Sequence, residues 1–498
     1  MSGMIGGGVK DLTNRRLFLF TVIAVGALSA GAFLIICAQK NSLGFPLDDA
    51  WIHQTYARNL GEMGEWSFIP GQASVGSTAP LWSALIALGY LFKIPYKWWT
   101  YGIGVTALIA TAWLAVDWVR TRDRAPGMWG IGLAALLLLE WHLVWAALSG
   151  METILLAFLS VLFFWILTQE GFSFFIVGVL IGVGVWIRPD ALTLLLPAAW
   201  IIFIISRGRF RQIGAALLRL IVGIAGPFLI YLSMNWSVAG SIWPSTFYAK
   251  QVEYSVLQQS PFLYRYLEQL NAIAAGVLII LLPGILLYII QAIKSRSWER
   301  FAPIIWAGAY IGAYALRLPV TYQHGRYAIP TIPILLVVGF EGIRIWYSQN
   351  GESRAKRFIH RVWIFSLGAV VAIFWWQGSQ AYALDVAIIE TEMVKASLWI
   401  AENTESDSSI AAHDVGALGY FGNRGIIDLA GLVTPEVIPI IRSEVDLDFF
   451  LDKNYADYLM TFPRWYPRLV SGSELIYSTN SEFSPQAGGE NMAIYRWR

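Results

Sequence analysis

Charge is scarce in this sequence, and cysteine is scarcer. Only 14% of its 498 residues are Asp, Glu, Lys or Arg, against about 25% in an ordinary soluble domain. That deficit excludes a large soluble core. The single cysteine, Cys37, excludes an intramolecular disulfide and reads as a small residue inside an apolar run. An exported domain without disulfides is ordinary in bacteria and less usual in eukaryotic secretion. There is no P-loop, no dinucleotide-type glycine loop before a helix, and no Cys/His spacing that suits a metal. A net charge of +2 implies no bulk polyanion partner, and nothing points to nucleic acid. No internal repeat or low-complexity segment is present, which argues against a repeat-built transporter.

What the chain has is apolar length. It is 57% hydrophobic, with a mean hydropathy of +0.56. Runs near 20 residues recur, each able to cross a hydrocarbon core of roughly 30 Å as a helix. The 24 Trp and 22 Tyr suit interfacial belts. Lys10, Arg15 and Arg16 precede the run 17–38, which places the N-terminus in the cytoplasm. Ala30-Gly31-Ala32 resembles a signal-peptide cleavage site, but the run continues past it and is long enough to span. The stretch 39–97 is a long first outer loop. Its apolar segment 80–92 is short for a crossing and reads as a re-entrant or interfacial helix. Counting it as a span would put Arg120, Arg122 and Arg124 outside, against the charge rule.

Further spans follow at 98–119, 128–147, 153–168, 172–187, 191–205, 217–236, 273–290, 301–316, 328–346 and 363–376. Arg207, Arg209 and Arg211, then Lys294, Arg296 and Arg300, then Arg354, Lys356 and Arg357 fall on the cytoplasmic side. The expected architecture is a polytopic all-α membrane domain of about eleven transmembrane helices, residues 1–377. Polar residues rise from about Gly378, and residues 378–498 are long enough for one small extracytoplasmic α/β domain. Within it, 387–403 reads as an amphipathic helix, 409–412 as a strand, 448–458 as a helix and 492–497 as a closing strand.

Candidate chemistry gathers in the outer loops. Asp48 and Asp49 open a short helix after the Phe45-Pro46 turn. One aspartate there serves as a helix N-terminal partner; a second like charge beside it tends to raise one pKa, which suits a general base. His53, four residues after Asp49, shares its face, and Arg58 lies on the same helix; both are also simply read as capping or surface pairs. Glu152, in the Ser149-Gly150-Met151-Glu152-Thr153 turn, is either a helix N-terminal partner or a second acid of a site. Arg188-Pro189-Asp190 breaks two apolar runs, as a structural turn or as a polar patch. Tyr248 and Lys250 lie in one outer loop, and His324, Arg326 and Tyr327 in another. Lys250 and Arg326 suit a phosphate at headgroup depth, or snorkelling to lipid headgroups. His413-Asp414 precedes a glycine turn and reads as structural. No motif demands a cofactor, and a divalent metal at the acidic residues stays open.

Taken together these motifs resemble the GT-C superfamily of membrane glycosyltransferases, which use polyprenyl-phosphate sugars. Leu47-Asp48-Asp49-Ala50-Trp51-Ile52-His53, with Tyr56-Ala57-Arg58-Asn59 and Ser77-Thr78-Ala79-Pro80-Leu81-Trp82, is similar to the superfamily's first-loop acidic motif. Within it the chain looks most like the mycobacterial terminal arabinofuranosyltransferase group and its bacterial relatives. Those share a Gly-Met-Glu-Thr-like turn, here Gly150 to Thr153, and an Arg-Pro-Asp turn, here Arg188 to Asp190. They also share a Pro-x-Thr-Phe/Trp-Tyr-Ala-Lys loop, here Pro244 to Lys250, with Ser245 where Asn is common. Asp414-Val415-Gly416 and Ile427-Asp428-Leu429 extend the likeness, which otherwise covers about residues 17–347.

The resemblance implies an inverting transferase in a bacterial cytoplasmic membrane. It would move a sugar from a polyprenyl-phosphate donor to a hydroxyl of a glycan, lipid or protein acceptor on the outer face. A first-loop aspartate would act as base and the cationic loops would hold the leaving phosphate. The donor sugar does not follow. The rival readings are a multi-span lipid or sugar transporter or flippase, for which Glu140 and His142 are the intramembrane charges to examine, and a non-catalytic scaffold, which needs no acidic pair beside the membrane.

Overall fold

The computed structural model describes residues 2–123, 127–349 and 354–498; Arg124, one of the arginines used to orient the chain, lies outside the described residues. Every apolar run read from the sequence is helical. Among the described residues, six helices are long and apolar enough to cross a membrane, or up to eight if each of two bent pairs is one span. The other runs form shorter helices, such as Thr153–Ile166 and Phe174–Ile187, of 14 residues each. At 1.5 Å per residue these reach about 21 Å, less than a hydrocarbon core. Eleven spanning helices are thus not confirmed: among the described residues six to eight are long enough, and the remaining apolar runs form shorter helices.

Large apolar side chains face outward along the long helices. Phe210–Ala239 exposes Leu218, Ile221, Leu229 and Ile230, and Arg354–Ile389 exposes Phe358 and Phe365. Helices apolar even on the outside are those of a membrane-embedded protein, and the chain is a multi-pass membrane protein.

The run 128–147 is broken. Met128–Leu138 and Trp141–Leu148 meet at 54°. Glu140 caps the second helix by accepting the Leu143 N–H at 3.1 Å, and its other oxygen lies 2.8 Å from His142 Nδ1. Both side chains are buried and bonded, so the charges a transporter would need mid-span serve a helix end.

The first loop is compact. Its helix Asp48–Arg58 runs into a π-turn, Asn59–Met63, and a hairpin of β1 (Ser67–Ile69) and β2 (Gln72–Ala73). Helix Pro80–Leu91 follows. At 12 residues it reaches about 18 Å, less than a hydrocarbon core. It packs on Asp48–Arg58, with the Trp82 indole donating to the Gly150 carbonyl at 2.8 Å.

The C-terminal part is built on a five-stranded sheet in the order β4-β3-β5-β7-β6. These are β3 (Ser409–Ala412), β4 (Gly425–Asp428), β5 (Tyr458–Thr461), β6 (Glu474–Ser478) and β7 (Ala493–Arg496). β3 is parallel to β4 and β5, and β7 is antiparallel to β5 and β6. The helix expected at 448–458 instead covers Glu444–Lys453. The left-handed Tyr455, at φ +53°, ends that stretch, and β5 takes over with Leu459 and Met460 buried. The residue 377/378 boundary falls inside one unbroken helix, Arg354–Asn403, whose only irregularity is a π-turn at Glu390–Val394.

Candidate active site

Two cavities meet at Asp49. The first, about 370 Å³, has apolar walls that include Leu192, Trp243, Phe247 and Leu318. Its polar patches carry Asp49, His53, Glu152, Arg188, Asp190, Lys250, Arg326 and Tyr327. The second, about 970 Å³, lies between the membrane part and the sheet. It is more polar and carries Glu253, Asp385, Asp414 and Trp465. Asp49, Ile52, Lys250, Arg326 and Leu432 line both.

The adjacent aspartates part company because successive helical residues point about 100° apart. Asp48 is turned to the C-terminal part, where its carboxylate accepts the N–H groups of Gly416 at 2.6 Å and Ala417 at 2.8 Å. A Cβ at position 416 would lie 2.0 Å from the Asp48 carbonyl oxygen, so only glycine permits this approach. Burial and the neighbouring Asp414 push the Asp48 carboxyl up to about 8, against the two amide bonds. Asp49 points into the junction. Arg326 Nη2 donates to its Oδ2 at 2.5 Å, and Lys250 Nζ lies 3.6 Å from the same oxygen. Burial works against the Asp49 charge, but Lys250 and Arg326 outweigh it and hold the carboxyl below the usual range. Burial likewise opposes the Lys250 ammonium, and Asp49 more than restores it.

Lys250 sits on the short helix Ser245–Glu253, and Arg326 follows a strained turn in which Gln323 and His324 both adopt left-handed φ, 55° and 60°. Such backbone persists only where its surroundings enforce it; here His324 Nε2 lies 2.8 Å from Asp385, which also accepts from the Trp145 indole at 2.9 Å. Tyr327 joins the cations: its hydroxyl accepts from Lys250 at 3.1 Å and Arg326 at 3.0 Å, and its ring lies under both. Both cations are met by Asp49. Even so, Nε and Nη1 of Arg326, a residue 4% exposed, have no hydrogen-bond partner among the described residues.

Glu152 anchors a second network. Gly150 turns the chain with φ +74°, where a Cβ would meet Phe45 at 2.7 Å, and delivers Glu152 fully buried to the cavity wall. Arg188 Nη1 donates to Glu152 Oε1 at 2.7 Å, and Arg188 Nε to Asp190 at 3.1 Å. Arg188 Nη2 donates to the Tyr314 hydroxyl at 2.6 Å. The hydroxyls of Tyr310 and Tyr314 in turn donate to Asp190. His53 Nε2 lies 3.4 Å from Glu152 Oε2, while its Nδ1 meets the hydroxyls of Ser83 at 3.0 Å and Ser77 at 3.3 Å. Burial opposes ionisation of Glu152, but His53 and Arg188 prevail and lower its pKa to about 2.

Three of the expected binding residues face elsewhere. Arg58 lines neither cavity; its guanidinium donates to the Tyr420 carbonyl at 2.7 Å and lies over the Tyr420 ring, which ties the first loop to the C-terminal part. Tyr248 lies on the far side of its helix against Phe247, and His324 serves Asp385 rather than a cavity. Conversely, Tyr310, Tyr314 and Asp385 carried no motif signal, being ordinary members of apolar helices. His413 is bonded to the Tyr466 hydroxyl at 2.7 Å and lies 3.5 Å from Glu253. Asp428 accepts three N–H groups, from Ala430, Leu432 and Val433, and so shapes the turn that brings Leu432 to both cavities. Asp48 faces amides, Asp49 faces cations, and no three His, Cys, Asp or Glu side chains among the described residues are grouped to hold an ion.

Comparison with known proteins agrees with this architecture. Residues 381–495 match a family described as a domain of unknown function, DUF8728. No curated protein sequence matches the chain. The structure of ArnT from Cupriavidus metallidurans bound to undecaprenyl phosphate is similar at 13% identity and a TM-score of 0.59, covering 96% of this chain and 97% of that one. An Archaeoglobus fulgidus oligosaccharyltransferase tethered to an acceptor peptide is similar at 12% identity and a TM-score of 0.60, over 89% and 69% of the two chains. Mycobacterial arabinofuranosyltransferase AftD is similar at 16% identity and a TM-score of 0.50, over 95% of this chain and 40% of AftD. The fold is therefore that of the GT-C glycosyltransferases.

Proposed function

We propose that the chain is a glycosyltransferase that moves a sugar from a polyprenyl-phosphate donor to an acceptor hydroxyl with inversion, at a site facing the outer side of a bacterial cytoplasmic membrane. The observation that carries this reading is the position of Asp49, which lines both an apolar-walled cavity and a polar one. The head of a lipid-linked donor suits the first cavity, with its phosphate and sugar at the polar patches and the start of its prenyl chain along the apolar walls, and a water-soluble acceptor suits the second. Undecaprenyl phosphate in the similar ArnT structure, and the acceptor peptide in the similar oligosaccharyltransferase, support that division.

In the reaction the acceptor oxygen attacks the anomeric carbon from the face opposite the phosphate. The acceptor proton passes to Asp49, and the bond from the anomeric carbon to the phosphate oxygen breaks with its electron pair on that oxygen. Arg326 and Lys250 neutralise the charge that develops there, with Arg326 offering its free N–H groups. The products are the glycoside and the polyprenyl phosphate. In the second cavity seven lining residues are acidic and four are lysine or arginine. A neutral hydroxyl acceptor suits that balance better than an anionic one.

The test is transfer of radiolabel from polyprenyl-phosphate-linked sugars to candidate glycan, lipid and peptide acceptors by the purified protein in detergent. Label moving to an acceptor, and lost in Asp49→Asn, supports the reading. Transport of the intact lipid across vesicles without any transfer would replace it with the flippase reading.

A further inference from the structure

The cavity with apolar walls carries two unmet polar poles of opposite kind. One is the pair of free N–H groups on Arg326, Nε and Nη1; the other is Oε2 of Glu152, a buried carboxylate oxygen with no hydrogen-bond partner among the described residues. Native proteins rarely leave such groups unmatched, because a buried polar atom that has lost water and gained nothing is costly. Where both line one cavity, the natural complement is a single ligand with an anionic group at one end and a hydrogen-bond donor at the other.

The surroundings of Glu152 narrow the chemistry. Its Oε1 is held by Arg188 at 2.7 Å, and Arg188 is held in turn by Asp190 and Tyr314. The carboxylate is therefore fixed in orientation, and it shares the Arg188 guanidinium with Asp190. A sugar hydroxyl directed at Oε2 would find a rigid, electron-rich acceptor. The nearby His53 ring lies at 3.4 Å and is occupied on its other nitrogen by serine hydroxyls, so it braces this oxygen without fully bonding it.

We propose that Glu152 Oε2 accepts a hydroxyl of the donor's sugar ring, which makes Glu152 the residue that recognises the sugar on the lipid phosphate rather than a second catalytic acid. This rests on the donor reading given above and assigns the sugar end of that donor to a named side chain. A site built around a hydroxyl rejects an analogue that lacks it far more strongly than an apolar pocket rejects a size change.

The experiment measures affinities of the wild type and Glu152→Gln for undecaprenyl phosphate without a sugar, and for a panel of undecaprenyl-phosphate-linked pentoses and hexoses with their deoxy analogues. The expected result is that Glu152→Gln binds undecaprenyl phosphate within twofold of wild type but loses at least tenfold for the preferred sugar-bearing lipid. One deoxy analogue should show the same loss on the wild type and no further loss on the variant. An equal fall for both lipids marks Glu152 as a structural brace and overturns the assignment, as does unchanged discrimination among the deoxy analogues. Should the variant fail to fold, the deoxy series on the wild type decides: no position sensitive to hydroxyl removal overturns it. A wild type that binds neither lipid removes the donor reading itself, an outcome distinct from loss of the sugar arm alone.

Discussion

The Asp49 carboxylate and the Arg326 guanidinium meet at 2.5 Å, and the same guanidinium keeps two N–H groups free. A base and the cradle for a leaving group therefore share one cation. Donor phosphate arriving at Arg326 and Lys250 draws both cations away from Asp49 and raises its pKa from the depressed value of the free protein. Since kcat/KM reports the free enzyme and kcat the bound complex, the acidic limb of the kcat profile is expected at higher pH than that of kcat/KM. Coincident limbs in the two pH–rate profiles would show that the donor leaves Asp49 and its cations undisturbed.

The two neighbouring aspartates are expected to behave differently on substitution. Asp49→Asn should lower kcat by about 10²–10⁴, the usual contribution of a positioned base, and should also lower the melting temperature, because it leaves Lys250 and Arg326 without their carboxylate. Asp48→Asn should retain much of the turnover and instead loosen the attachment of the C-terminal part, read as faster protease cleavage around Gly416. Equal losses of turnover in the two variants would contradict this division.

Lys250→Ala and Arg326→Ala should each weaken binding of the lipid-phosphate donor by about 1.5–3 kcal/mol, the scale of a hydrogen bond to a charged group. If these side chains only anchor the protein to headgroups, the melting temperature in lipid nanodiscs will fall while donor affinity stays put.

Thermal stability should itself depend on pH through Asp48 and Asp414, whose folded pKa values are raised to about 8 and about 6, by burial first in both cases. A carboxyl with a raised folded pKa binds its proton more tightly in the native state. Its contribution is complete below the unfolded value near 3.8 and is lost as pH rises towards 8. The melting temperature in detergent should therefore decline from pH 5 to 8.5, and Asp48→Asn should decline less. A wild-type curve flat over that window would remove both groups from the account.

A periplasmic reporter fused after Arg498 should be active, and a cytoplasmic reporter should be active after Arg124. An active periplasmic reporter after Arg124 would mean that helix Pro80–Leu91 crosses the membrane and that the first loop is cut in two.

Much of this site was legible in order along the chain. Asp49, Glu152, Arg188, Lys250 and Arg326 each stood out as a charge interrupting or flanking apolar sequence, and each lies on a cavity wall. The sequence could not separate Asp48 from Asp49, because the distinction depends on where Gly416 arrives, 368 residues later. Arg58 misled for the same reason: a cation on the right helix can face a carbonyl of a distant part. Tyr314 and Tyr310 were invisible because an aromatic in an apolar helix looks the same whether it meets lipid or Asp190. The number of spans was the least legible feature, since hydropathy records how apolar a run is and says nothing of whether it crosses or is packed between helices that do.

The helix Arg354–Asn403 carries the chain from the membrane directly into the sheet-bearing part without a linker. At about 1.5 Å per residue, its 50 residues form a mast of roughly 75 Å, rooted among the apolar helices, while Asp48 and Arg58 hold the sheet-bearing part beyond it at Gly416, Ala417, Gly419 and Tyr420. A sheet mounted this way is not a detachable module. Grafting it onto another membrane part would require matching the rotation of the mast as well as its length, because each residue inserted or removed below the π-turn swings the far end by about 100° and would carry Gly416 away from Asp48.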